Sequence, residues 1–257
     1  MSGLATADGR ARPDKSATHP VLDADCARGA PRNAFLRSNF NRSALVRQLA
    51  GWQAAPADAP RQDLAERLSQ WFNVADAIAL SSLHQALPAV ARARRPAVPA
   101  AALSVQAELQ RVRATLSQAI TSPPLEPGDE GTDDTDAGFA PHHQRCLEQQ
   151  RRMEMSIEAL RGHVRKTLSL TSARLAQLAA LDAAIEPMLG GREQRLLATV
   201  PSFLKARFAD LRQSHPGGWQ PLFEHELQQT LLAELDLRLQ PVVGMVEALS
   251  QEVKQHP

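Results

Sequence analysis

The fold turns on residues 143–189, HQRCLEQQRRMEMSIEALRGHVRKTLSLTSARLAQLAALDAAIEPML. The stretch meets no proline before Pro187 and a single glycine, Gly162. Apolar or semi-apolar side chains recur at Met153, Ile157, Leu160, Val164, Leu168, Thr171, Leu175, Leu178, Leu181, Ile185 and Leu189. Steps of three and four place them on one face of an α-helix. At 1.5 Å per residue an unbroken helix of this length is about 70 Å long, and a single central rod is predicted. From Met153 to Leu175 the steps run 4-3-4-4-3-4, an eleven-residue repeat made twice, or about 3.67 residues per turn. A sustained left-handed coiled coil requires about 3.5, so the register is that of a nearly straight helix in a bundle. Between Leu175 and Leu189 most positions become apolar or alanine, which predicts a segment surrounded by neighbours. Gly190 and Gly191 are the expected stop.

Outward from the rod, shorter amphipathic stretches alternate with breakers. Residues 1–38 are polar and rich in Ala, Asp, Arg and Pro. They hold too little apolar surface to offset ordering entropy and read as a disordered leader. Residues 39–90 carry three short helices, predicted to form a small N-terminal subdomain. The first is capped by Ser43, the second by Asp63 with Glu66 at capping-box spacing, and the third ends before Pro88. Residues 91–101, with Arg92, Arg94 and Arg95 beside two prolines, read as a stiff solvated linker.

The remainder, residues 102–257, is the predicted bundle. Val105, Leu109, Val112, Leu116 and Ile120 line its first helix, which Pro123 and Pro124 stop. Residues 122–141, SPPLEPGDEGTDDTDAGFAP, hold six acids and no base and read as a disordered acidic loop. Beyond the rod, Leu197, Val200, Leu204, Phe208 and Leu211 make one stripe in which Pro201 either kinks the helix or opens a new one at N1, the continuity of the stripe favouring the kink. A last helix from about Pro221 to Val253 should bend at Pro241.

The composition fits this scheme. The 257 residues carry a net charge of +1, no tyrosine and 13 glycines, a mix that favours helix over sheet. Charge is unevenly spread: residues 143–174 hold seven bases against three acids (+4), residues 192–214 five against two (+3), and residues 220–257 two against six (−4). A basic helix pair beside an acidic helix is what internal complementarity predicts. Cys26 and Cys146 are too few for a disulfide framework. No run approaches 18 apolar residues and no apolar signal segment opens the chain, so a cytoplasmic protein without direct membrane insertion is expected.

No catalytic, cofactor-binding or metal site is predicted. His225-Glu226 lacks a second histidine four residues on, where Gln229 stands. His142, His143 and Cys146 have ligand-like spacing but no fourth partner in view. Gly138 breaks a calcium loop begun at Asp134. The residues that remain for partner contact are Arg151, Arg152, Arg161 and Arg165, with Trp219 beside a glycine turn.

The segments RSALVRQLA, DLAERLSQWFNVADAIALS, AELQRVRATLSQAI, QQRRMEMSIEALRGHVRKTL and LLAELDLRLQPVVGMVEAL together resemble a proteobacterial family of unknown function, from about residue 40 onward. The resemblance implies a helical cytoplasmic accessory protein. It brings no catalytic residues, and it implies a helical partner, since relatives are encoded near coiled-coil and peptidoglycan-binding envelope proteins.

The fold class expected is therefore all-α: an elongated helical bundle organised around one long central helix. The function expected is a non-enzymatic scaffold acting through helix–helix contacts with itself or a helical partner. The alternative is nucleic-acid binding or regulation through Arg151, Arg152, Arg161, Arg165 and Lys166, in which the i, i+4 pair Arg161 and Arg165 straddles phosphates.

Overall fold

Ser172 is where the expected rod ends. In the computed structural model, which describes residues 43–52, 70–92, 100–122, 135–215 and 217–255, this serine is extended (φ −146°, ψ 163°) between two helices. In chain order the described helices are α1 (Ala44–Gly51), α2 (Val74–Arg92), α3 (Ala100–Thr121), α4 (Thr135–Thr171), α5 (Ala173–Leu197), α6 (Val200–Ser214) and α7 (Trp219–Gln255). Among the described residues there is no strand, so the class is all-α as expected.

The single rod is instead a tight antiparallel hairpin of α4 and α5. Its pairing is read from contacts across the turn: Arg161 to Asp182, Glu154 to Gln194, and Gln150 to the Leu197 carbonyl. The break has a local cause. Ser169 and Thr171 turn their hydroxyls back onto the carbonyls of Lys166 and Thr167, and the Ser172 hydroxyl accepts from the Leu175 amide at 3.2 Å. A cluster of Ser and Thr thus offers the backbone an alternative to the next helical turn. Neither glycine nor proline marks the spot, and the apolar period runs straight through it.

The neighbouring boundaries shift for related reasons. Gly190 and Gly191 do not stop α5, which runs seven residues past Gly190 to Leu197. Leu197 is 4% exposed, and its burial and its bond from Gln150 hold the helix past the glycines. Pro201 does not kink a helix but opens α6 in its first turn, where its missing amide needs no partner. Pro88 lies inside α2 rather than beyond its end. The expected acidic loop does not reach residue 141, because α4 already begins at Thr135 and passes through Pro141, and residues 123–134 lie outside the described residues. Pro241 lies within α7.

The N-terminal elements dock on the C-terminal ones. α1 packs on α7 and α2 on α5, and Gln48 donates to the Glu226 carbonyl and to Thr230 Oγ1 of α7. Ser43 precedes α1 without a side-chain cap bond. α2 opens on a reciprocal cap, Asn73 and Asp76 each accepting the other's amide at 2.9 Å. Of the expected second helix only residues 70–72 are described. The expected leader, and residues 93–99 of the expected linker, lie outside the described residues.

α7 is the most enclosed element, in contact with α1, α3, α4, α5 and α6. Phe223, Leu227, Leu231, Leu235, Leu239, Val242, Val246 and Leu249 are each 1% exposed or less. It meets the buried stripe of α4, where Met153, Val164 and Leu168 are fully covered. The widened stripe of 175–189 lies between α4 and α2, yet only Leu175, Ala176 and Ala179 of it are buried. The acidic α7 does meet basic partners: Arg145 reaches Glu224 at 2.6 Å and Arg207 grips Glu226 at 2.8 Å.

Candidate interaction site

The residues singled out for partner contact end in three different settings. Arg161 and Arg165, one turn apart on α4, face Asp182 and Glu186, one turn apart on α5. Arg161 donates from Nε (2.9 Å) and Nη2 (2.6 Å) to Asp182, and Arg165 donates from Nε (2.6 Å). Glu186 receives Arg161 Nη1 at 3.1 Å and a further bond from Arg165. Side-chain exposure of Asp182 and Arg161 is only 13% and 14%. Burial works to raise the Asp182 carboxyl, but two guanidiniums overcome it and hold the group below the usual carboxylate range. The same carboxylates hold Arg161 fully charged in spite of burial. This four-residue clamp is built across the hairpin, so the two arginines already have anions to hold.

Arg151 and Arg152 stand exposed on the outer face of α4, Arg152 beside Glu148 at 3.2 Å. Trp219 is half-buried. Its ring meets Phe208 edge-on at 4.9 Å, and the Arg212 guanidinium lies 6.0 Å from its centre. Phe139 and Phe223 complete the aromatic cluster around Phe208. His142 enters the same cluster, 5.0 Å from Phe223, and burial pushes its imidazole below its ordinary pKa. His142 is thus committed to rings, while Cys146 on the next turn is fully buried. Burial, with the nearby Glu234 carboxylate, pushes that thiol up to about 12. Among the described residues no group of three or more His, Cys, Asp and Glu side chains converges on a metal-sized space. His225 is exposed.

A buried polar centre escaped the sequence reading. Glu234 is 0% exposed in the middle of α7. Gln150 donates to both of its oxygens at 3.1 and 3.0 Å, and Arg238, one turn on, approaches at 2.8 Å. Burial nevertheless raises the Glu234 pKa, the two donors offsetting it only in part. The only sequence signal was an acid within the otherwise apolar run Leu231–Leu235 with a base four residues later. Sealed from solvent, the group has the features of a register pin for α4 against α7.

Apolar side chains also face outward from several of the helices. Among its described side chains, residues 74–90, α2 has no fully buried residue. It packs on α5; Leu80, Leu83, Leu87 and Val90 are half-buried, and the Leu87 carbonyl accepts from Gln177 at 2.9 Å. Val74 and Ile78 are 77% and 62% exposed, with Ala75, Asp76 and Ala77 between them. Met155 (64%), Leu170 (53%) and Leu196 (63%) add to the exposed apolar surface of the hairpin. Two concavities accompany these helices: an open groove of about 590 Å³ between α3 and α4, over Val112, Ala159 and Leu160, and a smaller one of about 210 Å³ between α5 and α7. No helix among the described residues is long and apolar enough to cross a membrane.

A family model described as "Protein of unknown function (DUF3348)" matches residues 33–251. The chain belongs to this family. DUF3348 thus covers every described helix save the last four residues of α7, and its lower bound lies close to the residue-40 onset read from the sequence. Neither the curated proteins nor the solved structures contain a match to the chain.

Proposed function

We propose that this DUF3348 protein is a non-enzymatic helical interaction protein that acts through helix–helix contacts with itself or with a helical partner. The observation that carries the proposal is the state of α2. It is a 19-residue helix whose only charged residues are Asp76 and Arg92. It packs on α5 and presents Val74 and Ile78 to solvent. Isolated exposed apolar residues are ordinary, but two of them one turn apart on a weakly charged helix make a surface of the kind that partner helices cover. The cytoplasmic setting belongs to the proposal and is supported by the two cysteines, one of them a buried free thiol. An envelope-associated partner is its finer form, supported by the family resemblance alone. The clamp favours this reading over nucleic-acid binding, since Arg161 and Arg165 are neutralised from within the chain.

Size-exclusion chromatography with light scattering at several concentrations, together with affinity capture from the native cell, tests the proposal. An oligomer or a retained helical protein is expected, weakened by Val74→Glu with Ile78→Glu. A compact monomer that retains nothing overturns it.

A further inference from the structure

We propose that residues 173–257 exchange between two copies of this chain, with Ser172 as the hinge, so that the surface joining α4 to α5 also serves as a contact between protomers. The inference rests on the interaction reading above and narrows the partner to a second copy.

Ser172 is the only non-helical residue between Thr135 and Leu197. The apolar period does not register it: Val164, Leu168, Thr171, Leu175 and Leu178 keep steps of four, three, four and three across the turn. Rotation of this one residue into the helical region gives a continuous helix over residues 135–197, about 95 Å long. The straightened hinge also allows the amides of residues 173–175 to bond the carbonyls of residues 169–171, as in any continuous helix. In the hairpin the Leu175 amide has the Ser172 hydroxyl instead.

Opening breaks only contacts that a second copy supplies again. The clamp of Arg161 and Arg165 with Asp182 and Glu186, the Glu154–Gln194 bond and the bond from Gln150 to Leu197 all join residues before Ser172 to residues after it. So does the packing of α7 on α3 and α4. Exchange of identical elements therefore leaves the interior unchanged and costs association entropy alone. A basic pair matched to an acidic pair at this spacing is a complement found in the chain's own sequence, which is what commits the contact to a second copy.

The open form also gains a surface. Leu170 and Leu181 are 53% and 36% exposed in the hairpin. Eleven residues apart, they fall on one line of a continuous helix, where two long helices related by a twofold axis cross near their hinges.

Two full-length variants test this. One carries Arg161→Asp with Arg165→Asp, the other Asp182→Arg with Glu186→Arg, and each alone sets four like charges across its hairpin. The two are refolded or coexpressed as an equimolar mixture and read by native mass spectrometry and thermal melting. In an exchanged heterodimer one clamp is the natural one and the other is its reversed image, so both are matched. A predominant heterodimer melting well above either variant is expected. Two separate species keeping their own masses and melting points overturn the exchange. If one variant fails to fold alone, coexpression still distinguishes a soluble heterodimer from its absence. In the natural background, Ser172→Ala is expected to tighten dimerisation about tenfold, while a Gly-Ser-Gly-Ser insertion after Ser172 is expected to give monomer. A Ser172→Ala protein that is monomeric at all concentrations counts against the hinge. A natural protein that oligomerises or captures another helical protein, while the variants never pair, overturns the exchange and leaves the interaction reading standing.

Discussion

Asp182→Ala removes the centre of the hairpin clamp and nothing else of size. The carboxylate accepts three charge-assisted bonds, two from Arg161 and one from Arg165, at 2.6 to 2.9 Å. Each such bond contributes about 1.5–3 kcal/mol net when well covered. These side chains are 13%, 14% and 21% exposed, and Glu186 stays behind to hold both guanidiniums, so the sum must be discounted. The expected cost is about 2–4 kcal/mol, read as a lower urea midpoint at unchanged slope. Asp210→Ala is the internal control: its carboxylate also meets an arginine, Arg207, but is 61% exposed, and its loss should cost under about 0.5 kcal/mol. The pH dependence gives a second reading. The Asp182 pKa is depressed in the fold, so its contribution is complete above the unfolded value of 3.8 and is lost as pH falls through the lower folded value. The substituted protein should lack that part of the acid loss. A cost for Asp182→Ala as small as that of the control would refute the reasoning that this is a covered, structural ion-pair cluster.

Four other outcomes are expected. Phe208→Ala empties the centre of an aromatic cluster in which Phe208 is 1% exposed, and should cost about 3–5 kcal/mol in a denaturant titration followed by tryptophan fluorescence. Arg238→Ala leaves the 0% exposed Glu234 with Gln150 as its remaining donor and should cost about 3 kcal/mol. Glu234→Met with Arg238→Met together should be close to neutral in the same assay, because no buried charge is then left without a partner. His142 has its pKa pushed below 6.5 by burial, with Glu224 pulling it up and Arg145 down. The unfolded chain takes up that proton first, so stability falls as pH drops from 6.5 to the folded value and then levels. Urea midpoints measured across this interval should flatten in His142→Gln.

The helical class was legible because burial follows the period. The stripes of Met153–Leu175, of Leu204–Leu211 and of Leu227–Leu249 all end in the core. The turn at Ser172 was not legible, since a run of Ser and Thr breaks a helix through side-chain bonds that depend on geometry rather than on composition. Gly190, Gly191 and Pro88 misled in the opposite direction. Their local preference for ending a helix is worth a few kcal/mol at most, and the burial of Leu197 and the packing of α2 on α5 outweigh it. Of the site residues, the basic character of Arg161 and Arg165 was evident, but their partners Asp182 and Glu186 were hidden by the same error. On a straight rod Asp182 lies about 30 Å from Arg161; folded at Ser172, the two touch. Glu234 was passed over because one acid in a long apolar run reads as a solvated position until the neighbouring helix is placed.

The fold-back at Ser172 is tested most directly by a distance between α4 and α5. Spin labels go on cysteines replacing Arg151 and Leu196, both exposed, in a Cys26→Ser, Cys146→Ala background. The labelled chain is diluted with unlabelled protein, and the monomer fraction is measured by pulsed electron spin resonance. Facing positions on paired helices, whose axes lie about 8–10 Å apart, should give a narrow distribution near 20 Å. A distribution centred near 68 Å, the span of 45 residues of straight helix, would contradict the hairpin.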